Sequence, residues 1–292
     1  MASAELRQIR RRIRSVESTM KITRAMELIA TARIGKARQR VVESKPYIAK
    51  MNDVIRNIAA ASGSLSHPLF EAREVETVGV VVVTSDRGLA GGYNGSVIRL
   101  AEHALVEHRA AGRAIRLYVV GKKALTYFRY RKYQIEHSWL GVTDTPTYAD
   151  GRGIANILLN EYMDGNVDVM EVYTTRYVSA LTQTPERWPL LPIEPPEGSG
   201  DDTGPVGYTF EPSPEEILDR LLPRYLEGTT FGILLEASAS EHAARRRAMK
   251  AATENAEELT RILTREANQA RQAEITTEIS EIVGGAEALA RG

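Results

Sequence analysis

The sequence contains no cysteine. Disulfides, thiolate metal sites and cysteine nucleophiles are therefore excluded, and a reducing compartment is expected. Long apolar runs are missing as well. The longest, Val78 to Val83, is interrupted by Gly79 and falls far short of the ~20 residues a membrane span needs. Charge begins at Glu5 and Arg7 with no apolar signal core, which predicts a soluble, untargeted protein. Net charge is absent, with 38 Lys+Arg against 38 Asp+Glu, and aromatic residues make up only 6%. What is present is a 292-residue chain that is 43% apolar, enough for a packed core and roughly two domains.

The zero balance conceals two opposed regions. Residues 1–45 carry twelve basic residues and four acids, a net +8, and residues 194–227 carry nine acids and two bases, a net −7. A basic end of this kind fits nucleic acid, an anionic membrane or an acidic protein partner. The first predicts aromatic residues among the basic ones, and residues 1–45 contain no Phe, Tyr or Trp.

The basic end also has a sustained 3–4 alternation running from Leu6 through Ile9, Ile13, Val16 and Met20 to Ile55 and Ile58. Thirteen of its sixteen positions are apolar, with Thr23, Glu27 and Ser44 as the breaks. Seven heptads of this pattern predict a coiled-coil helix, roughly 80 Å long at 1.5 Å per residue. Pro46 should kink or locally open it. A second stripe follows Met249, Ala252, Ala256, Leu259, Leu263, Ala270 and Ala273, then shifts phase to Ile275, Ile279, Ile282, Ala286 and Leu289. Alanine at a seam lets a partner helix approach closely. Local propensity over Gly228–Leu235 is β-like, and we expect a helix to run on through Pro223, Gly228 and Gly232, bent.

Between these helices the pattern changes. Val78–Thr84 and Ile115–Val120 read as strands buried on both faces, and Val167–Val178 as a third. Helices are expected at Gly95–Ala111, Lys122–Arg131 and Ala149–Met163. This alternation predicts an α/β sheet with parallel neighbours. Thr182–Leu191 fits only an edge strand, because of Pro185 and Pro189. The expected organisation is a helix over 1–62, an α/β domain over 75–192, a connector over 193–212 and a second helix over 213–289.

An α/β domain invites a search for a nucleotide site or catalytic group. The loop Thr84-Ser85-Asp86-Arg87-Gly88-Leu89-Ala90-Gly91-Gly92-Tyr93-Asn94 stands where a phosphate loop would, yet matches neither G-x-G-x-x-G nor G-x-x-x-x-G-K-[ST]. Lys123 follows Gly121-Lys122 where a P-loop needs Ser or Thr. The five histidines show no metal-ligand spacing, and Asp201-Asp202 sits in a Pro/Gly-rich stretch as a solvated pair. These residues read as structural turns on a scaffold with no catalytic constellation, no cofactor site and no metal site. A nucleotide-dependent enzyme would instead bind nucleotide as the isolated chain.

Four stretches carry a specific resemblance. Ile13-Arg14-Ser15-Val16 with Lys21-Ile22-Thr23-Arg24-Ala25-Met26-Glu27 opens it, and Ser85 to Asn94 follows. Ser240-Glu241 with Arg245, Ala248-Met249 and Asn255-Ala256 is the third. Asn268, Arg271-Gln272, Ile275-Thr276, Glu278, Glu281 and Gly285-Ala286 close it. In order and spacing, from residue 6 to 289, the sequence resembles the gamma-subunit family of F-type ATP synthases. It departs at Ala90, where many relatives have cysteine, and at Arg246, often Met, and it lacks the redox cysteine insert of chloroplast members.

The resemblance implies an antiparallel coiled coil of the two terminal helices flanking an inserted Rossmann-like α/β domain. It implies a rotor shaft inside a hexamer of alpha and beta subunits, with the α/β domain against the epsilon subunit and the c-ring. Nucleotide would bind on alpha and beta. The location implied is the cytoplasmic face of a bacterial plasma membrane, held there by the complex, with no nucleic-acid partner. Lys21, Arg24 and Met26 would face acidic loops of beta, Arg87 would make a subunit contact from the turn after the first strand, and Arg245, Arg271 and Gln272 would contact the hexamer's collar. Ile275, Ile279 and Ile282, with Leu289, would form an apolar tip in an apolar bearing.

Overall fold

A computed structural model describes residues 4–62, 67–194, 211 and 213–290. The elements are α1 (Ala4–Ser62), β1 (Thr77–Val83), α2 (Tyr93–Ala110), β2 (Ala114–Val120), α3 (Lys122–Tyr130), β3 (His137–Trp139), α4 (Tyr148–Met163), β4 (Val169–Tyr177), β5 (Gln183–Leu191) and α5 (Pro214–Ala290). The chain divides into two compact bodies, one of residues 1–29 with 246–292 and one of residues 30–245. Most of the expected connector, residues 195–210 and 212, lies outside the described residues, as do Asp201-Asp202 and the side chain of Leu289.

The larger body is built on a five-stranded sheet in the order β3-β2-β1-β4-β5. β1 pairs parallel with both β2 and β4, β2 pairs parallel with β3, and β4 pairs antiparallel with β5. The continuous run of β1 follows from burial on both faces. Val78, Val80 and Val82 pack with Val97, Leu105 and Phe128 of α2 and α3. Val81 and Val83 join a second core with Ile154 and Leu158 of α4, Ile55 and Ile58 of α1, and Leu222 and Leu226 of α5. Each such apolar side chain contributes roughly 1.5–3 kcal/mol on burial.

Within this body α1 and α5 run antiparallel. Gly228 lies against Ile48, while Val41 packs on Leu235 and Ala239; moving back along α1 corresponds to moving forward along α5. A Cβ added at Gly228 would come within 2.8 Å of Ile48 Cδ1, so glycine permits the close approach. This tertiary packing overrides the β-like propensity of Gly228–Leu235, and α5 is one unbroken helix through Pro223, Gly228 and Gly232. Likewise α1 stays helical through the exposed Pro46 rather than opening there.

In the smaller body the opening stretch of α1 packs on the later part of α5. The α1 stripe is buried or half-buried at every position, its polar breaks included. Thr23 Oγ1 meets Thr253 Oγ1 at 2.8 Å in the buried seam. On α5 the seam runs through Met249, Thr253, Ala256, Thr260, Leu263, Ala267 and Ala270, which corrects the expected Ala273, exposed here. Every residue from Ile275 to Ala286 is exposed. The phase shift in the stripe therefore marks where α5 leaves the seam: this body takes only Ala4–Ile29 of α1 against Arg246–Ala290 of α5.

Candidate functional site

The turn after β1 is a knot of internal hydrogen bonds. Asp86 ties its own turn to two other segments of chain. Its Oδ1 accepts from Lys122 N at 3.1 Å, and its Oδ2 accepts from Gly141 N at 3.0 Å and Thr143 Oγ1 at 2.9 Å. Lys123 N donates to Ser85 O at 3.1 Å and Ala124 N to Thr84 Oγ1 at 2.9 Å. The amides at the start of α3 would draw a phosphate in a nucleotide-binding protein; here Asp86, Ser85 and Thr84 take them. Asn94 Oδ1 accepts from the Ser85 amide at 2.9 Å and ties the turn to α2. Gly121 caps α3 with φ +93°, and a Cβ there would fall 2.1 Å from Thr84 O. Only glycine allows β1 and β2 to deliver their loops this closely.

The other half of the site comes from α5. Tyr93 donates its hydroxyl to Ala237 O at 3.1 Å and packs with Ala90 on Ala244. Arg245 Nη2 donates to Gly88 O at 3.2 Å and to Glu241 Oε1 at 2.6 Å. Ser240 Oγ donates to Thr175 O of β4 at 3.2 Å, and the Tyr177 amide donates to Glu236. His242 Nε2 lies 3.1 Å from Asp144 O, and Arg33 pairs with the Asp144 carboxylate.

Residues 236–245 of α5 thus lie across the C-terminal ends of β1 and β4. The connections of this sheet reverse direction between those two strands, and that is where doubly wound sheets take their ligands. In this chain a helix fills the place. Burial sets the electrostatics of the clasp. It raises the Tyr93 pKa well above its usual value, with Glu241 adding and Arg245 opposing. It raises that of Glu241 against the pull of Arg245, and lowers that of His242 against the pull of Asp144.

The expected contact residues divide sharply. Lys21, Arg24, Arg271 and Gln272 are exposed and Met26 is half-buried, all in the smaller body. Ile275, Ile279 and Ile282 are 48%, 56% and 71% exposed. Arg87 is exposed on the turn. Arg245 is not a surface residue: it is 7% exposed, its guanidinium spent on Glu241 and Gly88. The expected collar contact by Arg245 is corrected on that ground. Sequence reasoning treated Thr23 as a break in the stripe and missed its partner. The signal was available, because reading α5 as Met249-Thr253-Ala256 keeps the 3–4 spacing and places a second hydroxyl in the seam.

The chain matches the family model described as ATP synthase over residues 5–289. It is 50% identical to the ATP synthase gamma chain of Acidothermus cellulolyticus, over 98% of this chain and 97% of that protein. It is 46% identical to that of Mycolicibacterium smegmatis, over 99% of each. In fold it is similar to a chain of the Euglena gracilis mitochondrial ATP synthase, with TM-score 0.70 and 18% identity over 98% of this chain and 94% of that one. A central stalk/c-ring structure of the Tetrahymena thermophila enzyme contains another similar chain, with TM-score 0.61 over 79% of this chain and 99% of that one. With full-length relatives at half identity, the clasp motif and the paired terminal helices have one origin: the chain belongs to the ATP synthase gamma-chain family.

Proposed function

We propose that the chain is the central rotor shaft of an F-type ATP synthase. Proton flow turns the c-ring, the shaft turns with it, and its asymmetric surface changes each catalytic site of the alpha–beta hexamer in sequence. The chain supplies no reacting group of its own. The filled crevice supports this, since α5 and the Asp86 carboxylate occupy the places where such a sheet would hold a nucleotide. No described helix is long and apolar enough to cross a membrane, and the proposed location is the cytoplasmic face of a bacterial plasma membrane, through contacts with epsilon and the c-ring.

The observation that carries the reading is the last part of α5. An apolar row of Ile275, Ile279 and Ile282 facing water is costly for a monomer and matches a surface built to be enclosed. Lys21, Arg24 and Met26 would meet acidic loops of beta, where opposite charge steers assembly. Arg87, Arg271 and Gln272 would add polar contacts, whereas Arg245 braces the clasp from inside.

The test is Arg271→Ala with Gln272→Ala in a complex co-purified with alpha and beta subunits. Both side chains are exposed, so the chain should fold as before while assembly and ATP synthesis fall several-fold. Unchanged synthesis and assembly would defeat the contact assignment, and a chain that never joins alpha and beta would defeat the rotor itself.

A further inference from the structure

The larger body contains a cavity of about 320 Å3 that shares Glu236 with the clasp and that the helix pairing leaves unfilled. Its floor is β4 and β5, with Thr174, Glu186 and Trp188; its walls are Ile48 of α1 and Gly232 and Glu236 of α5. Glycine inside a helix costs about 1 kcal/mol relative to alanine. At Gly228 the close approach of Ile48 explains that cost. At Gly232 a Cβ would meet nothing within 4 Å. No neighbour among the described residues requires a glycine there, and its missing side chain keeps the cavity open.

The polar lining is equally specific. Thr174 is 3% exposed, and its Oγ1 has no hydrogen-bond partner among the described residues. A buried hydroxyl left unpaired costs roughly 1–3 kcal/mol. The charges are layered: the Glu186 side chain is 25% exposed, while Arg176, 4.0 Å away, is 58% exposed, and Lys45 stands exposed at the α1 rim. Carboxylates form the inner ring and cations the outer one. Burial raises the Glu186 pKa, with Glu236 adding and Arg176 opposing; the two carboxylates sit deeper than the two cations that balance them. The indole of Trp188 beside these carboxylates completes a surface suited to an ammonium group.

We propose that this cavity binds a small amphipathic amine. The apolar body would lie against Ile48, Ile233 and Trp188, the ammonium group would face Glu186 and Glu236, and Thr174 would supply a hydrogen bond. The assignment stands whether or not the chain turns as a shaft.

The experiment titrates the full-length chain with 4-phenylbutylamine, reading Trp188 emission in a Trp139→Phe background, with 4-phenylbutyrate as the same body of opposite charge. The amine should give a saturable change, and the carboxylate should bind at least tenfold more weakly. Glu186→Gln should weaken the amine about fivefold. Gly232→Leu, which fills the cavity, should abolish binding while leaving the thermal midpoint equal or higher. No saturable change, equal affinity for both probes, or an unaltered titration in Gly232→Leu would overturn the proposal. Equilibrium dialysis of the amine against the assembled ATP synthase adds a last arm. Binding there supports the site, and its loss assigns the cavity to a partner subunit and overturns the small-molecule reading.

Discussion

Removing the Arg245 guanidinium probes the clasp most directly. Glu241 and Arg245 have side chains 2% and 8% exposed and meet at 2.6 Å. Arg245→Ala leaves the Glu241 carboxylate inside the protein with its cation gone, at a cost of about 3–5 kcal/mol. Gly88 O loses its donor as well. For a body the size of residues 30–245 this corresponds to a fall in midpoint of about 6–20 °C. The penalty must depend on pH. The Glu241 pKa already lies above its usual 4.5 despite the neighbouring cation, and without Arg245 it rises further. A carboxyl whose folded pKa is raised binds its proton more tightly when folded. The carboxylate part of the loss is therefore absent below the unfolded value, grows as pH rises and levels off above the folded pKa, while the part due to Gly88 O stays. Urea unfolding at pH 4.5 and pH 8 measures this, followed by Trp139, whose carbonyl accepts from Gly121 N beside the clasp. Replacing both partners, Glu241→Leu with Arg245→Met, should recover most of the loss, because an apolar pair of similar volume strands no charge. A single-variant loss below about 1 kcal/mol, or a gap equal at the two pH values, would refute the argument.

Two other expectations follow from the same geometry. Gly121→Ala sets a methyl group against Thr84 O at a positive φ, and should cost about 4 kcal/mol or more, read as lost soluble yield and red-shifted Trp139 emission. Thr253→Val should cost only about 1 kcal/mol, because Thr23 Oγ1 can still donate to Met20 O; adding Thr23→Val should be nearly neutral, and a double-mutant cycle by thermal unfolding isolates the pair.

How much of this was legible depends on range along the chain. The α1 stripe was legible because one helix face repeats a local spacing. The β1 and β2 runs were legible for the same reason, and Pro185 and Pro189 correctly confined β5 to an edge. β3 was missed because three residues, two exposed and one half-buried, carry no pattern. Local propensity over Gly228–Leu235 argued against the helix that was expected there, because the reason for Gly228 is Ile48, about 180 residues away in sequence. Asp86 was recognised as part of a turn, but its partners Lys122, Gly141 and Thr143 are brought to it by the sheet. Arg245 read as a surface charge because arginine usually is one; Glu241, one turn earlier on α5, turns it inward. The exposed isoleucines after Glu274 were visible as a phase shift, though the stripe could not say that the seam ends there.

The helix lying across the sheet's crevice has a consequence for time. A diffusible ligand in that crevice would leave and return at rates set by its concentration. Residues 236–245 are covalently tied to the sheet they fill, so after any local opening they face their own site at the effective concentration of a tethered partner. The site cannot be emptied by dilution or won by a competitor while the chain stays folded. A torsional load on α5 therefore meets a joint that reseals on its own.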